Sequence, residues 1–244
     1  MKGEFQRLLE ISQEMAGKTK ATCMTRPMAR LAYRTLWFAK LGYVLPFTSF
    51  TIDECIKLAA PFLAKCLPAM GYNRHMPRVV LYGPMKYGGQ ALLALFTEQG
   101  IDGLQALIGH IRAETDISHL LLILLSYLQV IAGIQAPYLQ SCHLRLPHVP
   151  KSWLSHLRNF LASFNGSLTI ADAWTPTPAR AQDVCLMDSL LQYEGTRTPT
   201  SAEITQFNAC RIYVKAMYLS CLTSLPAGLL ILTAMYHPII MSME

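Results

Sequence analysis

Thr51-Ile52-Asp53-Glu54-Cys55-Ile56-Lys57-Leu58-Ala59-Ala60-Pro61 is the stretch that decides the class of fold. Thr51 and Glu54 stand three residues apart, so the hydroxyl of one and the carboxylate of the other can each take a free backbone amide at a helix start. Behind this capping box Ile56, Leu58 and Ala59 give a helix its apolar surface, and Pro61, which has no amide hydrogen, is expected to kink or end it. The same signals recur upstream. Phe5, Leu8, Leu9, Ile11 and Met15 have amphipathic helical spacing across residues 5–16. Thr25 as cap and Pro27 in the first turn open a second helix that runs to Leu41 and stops at Gly42. Along it Arg26, Arg30 and Arg34 recur every four residues on one face, with Leu31, Leu36, Phe38 and Leu41 as apolar surface beside them.

Downstream, the run from Cys66 to Gly89 carries prolines at 68, 77 and 84 and glycines at 71, 83, 88 and 89, which forbid a long helix. Tyr72, Arg74, His75, Arg78, Tyr82, Lys86 and Tyr87 lie between them, so the segment reads as an ordered basic connector. Helices are then expected over Gln90–Gln99, with Gly100 as the stop, over Ile101–Ala113, and from Asp116 as cap to Gly133. A further one spans Lys151–Asn165, with Trp153, Leu154, Leu157, Phe160, Leu161 and Phe164 on one stripe. Others cover Ala181–Tyr193 and, behind a second capping box at Thr200 and Glu203, Ala202–Leu222. Ser167 to Ala173 alternates in the manner of a strand. The fold expected is mainly α, an irregular multi-helix assembly with one short strand or hairpin near 167–173. Three regions follow: a basic helical part with its connector at 1–90, a helical part at 91–222, and an apolar tail at 223–244 unrelated to the rest. The Pro- and His-rich stretch 137–150 offers a further place to divide the chain.

The composition is 52% apolar and 15% charged, which excludes disorder over most of the length and implies a large core or surface meant to be covered. The net charge of +6 is unevenly placed: residues 1–90 hold 13 Lys and Arg against 5 Asp and Glu, residues 91–244 hold 8 against 10. Such asymmetry suits a polyanion, nucleic acid or an acidic membrane, and equally a solvated basic face. Seven cysteines without a C-x-x-C pair argue against a disulfide framework and for cytoplasm or nucleus. Glu4, Glu10 and Glu14 break up any apolar run in the first twenty residues, so no secretory signal is expected there. Residues 117–144 and 216–243 lack Asp, Glu, Lys and Arg; both reach the ~20 residues that span a bilayer, and the alternative to a soluble fold is therefore a membrane protein with spans near 118–139 and 216–240.

No phosphate-cradling glycine loop, dinucleotide fingerprint or nucleophile elbow occurs. Cys142, His143, His148 and His156 match no standard zinc spacing, and Pro147 and Pro150 between them favour a loop. Glu98, Glu114, Asp116 and Asp183 sit where acidic residues ordinarily cap or face solvent. No catalytic residue, metal or cofactor is assigned. The basic groups carry more: the Arg26, Arg30 and Arg34 face and the connector's Arg74, Arg78 and Lys86 can grip phosphates, and the tyrosines beside them can stack on bases or pack against their own helices.

The order of several pieces resembles a known family. Met28-Ala29-Arg30-Leu31-Ala32-Tyr33 with Trp37, then Thr48-Ser49-Phe50-Thr51, Leu67-Pro68-Ala69-Met70-Gly71-Tyr72-Asn73-Arg74 and Gly88-Gly89 come in sequence. Glu98-Gln99-Gly100-Ile101, His110-Ile111-Arg112-Ala113, Trp153-Leu154, Leu157-Arg158-Asn159-Phe160-Leu161 and Cys210-Arg211-Ile212-Tyr213 follow. This order over residues 5–222 resembles the helical thumb and downstream region of non-LTR (LINE-type) retrotransposon reverse transcriptases. The resemblance implies a non-catalytic fragment of an RNA-directed DNA polymerase. Its partners would be an RNA–DNA or other nucleic-acid duplex and the missing palm and fingers. Arg30, Arg34, Arg74 and Arg78 would be phosphate contacts. The Tyr-x-Asp-Asp motif of the palm is absent from this chain, and the likeness is lost after about Leu222, as a shifted reading frame would produce.

Overall fold

The computed structural model describes residues 2–178, 180–192, 198–224 and 230–232. It is mainly helical, and it divides into two compact units, Met1–Gly109 and His110–Glu244. The division falls inside a helix, later in the chain than residue 90.

Unit 1 is built on α1 (Lys2–Ala21) packed along α4 (Ile52–Ala69). Between them run α2 (Arg26–Ala32), a π-helical stretch at Tyr33–Phe38 and α3 (Ala39–Gly42). Ala29, Tyr33, Trp37 and Leu41, each four residues from the last, are all buried. An α-helix advances about 100° per residue, so a row of period four drifts by about 40° at each step. The wider π turn takes up that drift and keeps the row on the core. It also turns Leu36 outward, while Leu31, two residues from Ala29, already faces away on α2; of the four apolar residues the sequence pattern groups here, only Phe38 and Leu41 are buried.

Trp37 stacks on Phe62 with ring centroids 4.9 Å apart and planes within 5°. Its indole N–H donates to Ser12 Oγ at 3.1 Å, and that hydroxyl donates onward to the Leu58 carbonyl at 2.6 Å. One buried chain of donors thus ties α1, the π stretch and α4 together, leaving the indole, which can only donate, satisfied.

The Thr51–Glu54 capping box forms. Pro61 does not end α4: the helix runs through it and through Pro68. Losing a backbone bond at a proline costs about 3 kcal/mol, but Leu58, Ala59, Phe62 and Leu63 are buried on the same helix, and full burial of each large one contributes about 1.5–3 kcal/mol. Residues 90–94 are not helical, and Gly100 is not a stop; a single helix, α6, spans Leu95–Arg112. Gly100 and Gly103 are buried within it, and neighbouring Gln99 donates to the Thr48 carbonyl at 2.9 Å.

In unit 2, α7 (Asp116–Ala132) starts from Thr115, whose hydroxyl, not Asp116, makes the cap, and ends at left-handed Gly133. α8 (Trp153–Ser163) opens on a Ser152–Ser155 capping box. α9 is shorter than expected, Leu186–Leu191; Tyr193 lies outside the described residues. α10 (Ser201–Tyr213) has the Thr200–Glu203 box but stops well before Leu222. Its end is turned by Lys215 at φ +54°, and the chain then pairs back, with Leu186 N–H on the Met217 carbonyl and Leu219 N–H on that of Val184.

The strand expected at 167–173 is not there. The segment is irregular, with one backbone bond from Leu168 to the Leu139 carbonyl and a turn at Ala173. Its alternation serves packing: Leu168 and Ile170 line a small gap with Leu125 and Leu139, with no strand alongside to complete a ladder among the described residues. Strand pairing occurs instead in the apolar tail, where β1 (Leu222–Ser224) and β2 (Leu230–Leu232) run antiparallel with Thr223 opposite Ile231. The rest of the tail lies outside the described residues. No single helix among the described residues is long and apolar enough to cross a membrane.

Candidate nucleic-acid interface

The period of four that buries Tyr33 and Trp37 also sets Arg26, Arg30 and Arg34 in a row, and the connector folds back onto this row. Arg26 is exposed and lies directly over Gly71, where an added Cβ would come within 2.6 Å of its Nε. Arg30 donates through Nη2 to the Gln90 carbonyl at 2.5 Å, and Arg34 through Nη2 to that of Ala91 at 3.0 Å. Between them Tyr33 Oη donates to the Leu93 carbonyl at 2.5 Å. Tyr72 Oη donates to the Gln90 side-chain carbonyl.

Residues 90–93 are therefore clamped on one side by three side chains of the arginine helix. On the other side the backbone of α5 (Arg78–Tyr82) and Gly83 holds them: Gln90 N–H reaches the Val80 carbonyl, Leu92 that of Leu81, and Ala91 that of Gly83. Ala91 sits at φ +46°, a region that a residue with a Cβ enters at a cost of about 1–2 kcal/mol. The two-sided clamp supplies what holds it there.

The remaining connector cations are placed less uniformly. Arg74 is exposed and donates through Nε to His75 Nε2 at 2.8 Å, while His75 N–H caps onto Asn73 Oδ1. Arg78, at the start of α5, is half-buried, and its Nη1 is buried with no hydrogen-bond partner. It lies near two tyrosines: burial pushes the Tyr33 and Tyr82 phenols up, and the Arg78 charge works against both shifts. Lys86 is exposed, with Nζ 5.6 Å from the centre of the Tyr87 ring.

Among the described residues none of these six cations forms an ion pair; the two that exist are Arg7–Glu4 and Lys18–Glu14, both on α1. The resemblance makes Arg30 and Arg34 phosphate contacts. The structure gives each of them a second task, fastening the connector. It adds Tyr33, and also Gln90 and Ala91, for which the local cue is the glycine pair Gly88-Gly89 before them.

Unit 2 has two buried arginines, Arg158 and Arg211, 4% and 3% exposed. Arg158 donates to the carbonyls of Tyr138, Ser141 and Leu144 and lies 4.9 Å over the Tyr138 ring. Arg211 donates to the carbonyls of Val130 and Ile131 and to Asn208 Oδ1. These are the last carbonyls of α7, where a cation also meets the negative end of the helix dipole. Burial lowers the Arg211 pKa to about 10, so it is still charged at neutral pH. His148 pairs through Nε2 with the adjacent Ala132 carbonyl at 3.1 Å, its Nδ1 buried without a partner.

Cys142 Sγ donates to the Leu139 carbonyl, and among the described residues no group of three His, Cys, Asp or Glu is placed to hold a metal ion. Glu98 is half-buried, and burial, with Asp102 beside it, raises its carboxyl pKa. Glu114 is exposed at the turn before α7 and Asp116 lies in the first turn of that helix. Asp183 accepts from the Ser220 hydroxyl and amide. The site so defined is a cationic, proline- and glycine-shaped surface on a helical unit. No protein family, curated protein or solved structure matches this chain.

Proposed function

We propose that unit 1 binds a nucleic-acid duplex through the phosphates, as a non-catalytic piece of a retroelement reverse transcriptase lying behind the template-primer. The observation that carries this reading is the basic surface around the clamped connector, where Arg26, Arg34, Arg74 and Lys86 are exposed and unpaired with any carboxylate among the described residues. A carboxylate-free cationic face gains affinity from displaced counterions, without reading sequence. Arg30 and Arg78, half-buried, shape the surface. The other partner in this reading is the palm and fingers portion of the polymerase, and the setting is cytoplasm or nucleus.

The test is fluorescence anisotropy of the full chain with a labelled RNA–DNA hybrid across a salt series. A log–log slope of roughly −3 to −4 is expected, at about 0.9 per phosphate neutralised, and Arg74→Gln with Lys86→Gln flattens it by about two. Absent or salt-independent binding refutes the reading.

A second reading, a helical module for protein partners, is favoured by one observation. Ile117, Leu120 and Ile123 are exposed on α7, three residues apart.

A further inference from the structure

Unit 2 contains a cavity of about 810 Å³ whose charged side chains, among the described residues, are all cationic. His143, Arg145 and Lys151 are exposed at it, and the buried Arg158 forms part of its wall. Among the described residues the lining holds no Asp or Glu, and no carboxylate forms an ion pair with Arg158. Arg158 is held rigidly by the three carbonyls it serves, so its position does not depend on a ligand. The rest of the lining includes branched aliphatic residues, Leu146, Val149, Leu190, Leu191 and Ile204. The aromatic ring among the described lining residues, Tyr138, is 3% exposed and already covered by Arg158, so it offers no face for a base or sugar to stack on.

We infer that this cavity binds a small amphiphile with an anionic head and an alkyl body, of the fatty-acid or alkyl-phosphate class. The volume lies within the ~300–1,000 Å³ of small-molecule sites, and apolar walls with a few convergent polar groups are their usual make-up. Arg145 and Lys151 take the head group, with the Arg158 charge behind them. The aliphatic wall takes the chain, since apolar area removed from water supplies affinity without direction. The head group and the body are thus recognised by different parts of one cavity.

Isothermal titration of the full chain with laurate, dodecyl phosphate, dodecanol and inorganic phosphate tests this. Saturable binding of one laurate or dodecyl phosphate per chain is expected, and the tighter of the two identifies the head group. A charge-assisted contact is worth about 1.5–3 kcal/mol, so dodecanol and the Arg145→Glu/Lys151→Glu variant should each bind about 10- to 150-fold more weakly. Both substituted residues are exposed, and circular dichroism checks that the variant keeps its helices. Arg145→Gln alone, if the double variant unfolds, should lose affinity in the same direction. Dodecanol binding as tightly as laurate, inorganic phosphate binding as tightly as dodecyl phosphate, non-saturable uptake, or variants of unchanged affinity would each overturn the inference.

Discussion

Gly89→Ala should open the connector, and the neighbouring Gly88→Ala should not. A Cβ on Gly89 would stand 2.0 Å from the Gly83 carbonyl oxygen and 2.2 Å from its carbon, backbone atoms that cannot swing aside. Relief requires residues 83 and 89 to separate. That breaks the bonds from Ala91 N–H to the Gly83 carbonyl at 2.9 Å and from Gly89 N–H to the Pro84 carbonyl at 3.0 Å, and pulls on Gly83 N–H to Val79 at 2.8 Å. At about 1 kcal/mol net per hydrogen bond, the local cost is about 2–3 kcal/mol. Gly88 has the unfavourable φ of +80° but open space around it, so alanine there costs about 1 kcal/mol of backbone strain alone. Backbone angles alone would rank the two the other way round.

Hydrogen exchange at the amides of Gln90, Ala91 and Leu92 reads this segment separately from unit 2. At about 1.4 kcal/mol per factor of ten, Gly89→Ala should cut their protection roughly 30- to 150-fold and Gly88→Ala about fivefold. Equal protection in the two variants, or greater loss in Gly88→Ala, would refute the reasoning.

Unit 2 has its own tests. Gly133→Ala would place a Cβ 2.7 Å from the Arg211 guanidinium carbon and from Met187 Cγ, at φ +65°; thermal unfolding should show a loss of about 2–3 kcal/mol, the size of a forced core overpacking plus strain. His148 is held below the ordinary imidazole pKa, first by burial and then by the Arg211 charge, with its bond to the Ala132 carbonyl opposing. The unfolded chain therefore takes up this proton at higher pH than the folded one, so stability is intact above about pH 6.5 and falls as pH drops below it. His148→Gln should flatten that acid limb in denaturant titrations, and an unchanged limb would rule the group out. Burial pushes the Cys55 and Cys66 thiols up to about 12, whereas Cys23 and Cys210 are exposed. Iodoacetamide at pH 8 should label the exposed pair in the native chain and leave the buried pair until denaturant is added, as mass spectrometry can read.

The legible parts of this fold are those whose cause is local. Thr51 with Glu54 and Thr200 with Glu203 carry their own amide acceptors, and both boxes form as the spacing requires. Arg26, Arg30 and Arg34 share a row because their spacing is uniform. What stayed hidden depends on distant chain. Gln90 to Ala94 has helical composition, but its carbonyls are taken by side chains about sixty positions earlier. Arg211 looks like a surface helix residue until Val130 and Ile131, some eighty positions earlier, present carbonyls to it. Pro61 and Gly100 read as stops because their local cost is visible and the packing that outweighs it is not. The alternation at 167–173 needed a neighbouring strand that the described chain does not provide.

The π stretch at Tyr33–Phe38 holds one residue more than an α-helix would need to join the same two ends in phase. Removing one residue between 35 and 38 would let the segment relax to an ordinary α-helix, and eleven steps of about 100° from Ala29 to Leu41 come within about 20° of three full turns, so the chain after the deletion keeps its phase. Leu41 then stays on the face of Ala29, and a deletion after Arg34 leaves the Arg30–Arg34 spacing and both carbonyl bonds as they are. Exchanges at exposed Thr35 or Leu36 change neither row. The segment can therefore accept substitutions at its exposed positions and, after Arg34, the loss of one residue, so relatives of this chain should keep the faces of Ala29 and Leu41 while differing by one in the number of residues between Arg34 and Leu41.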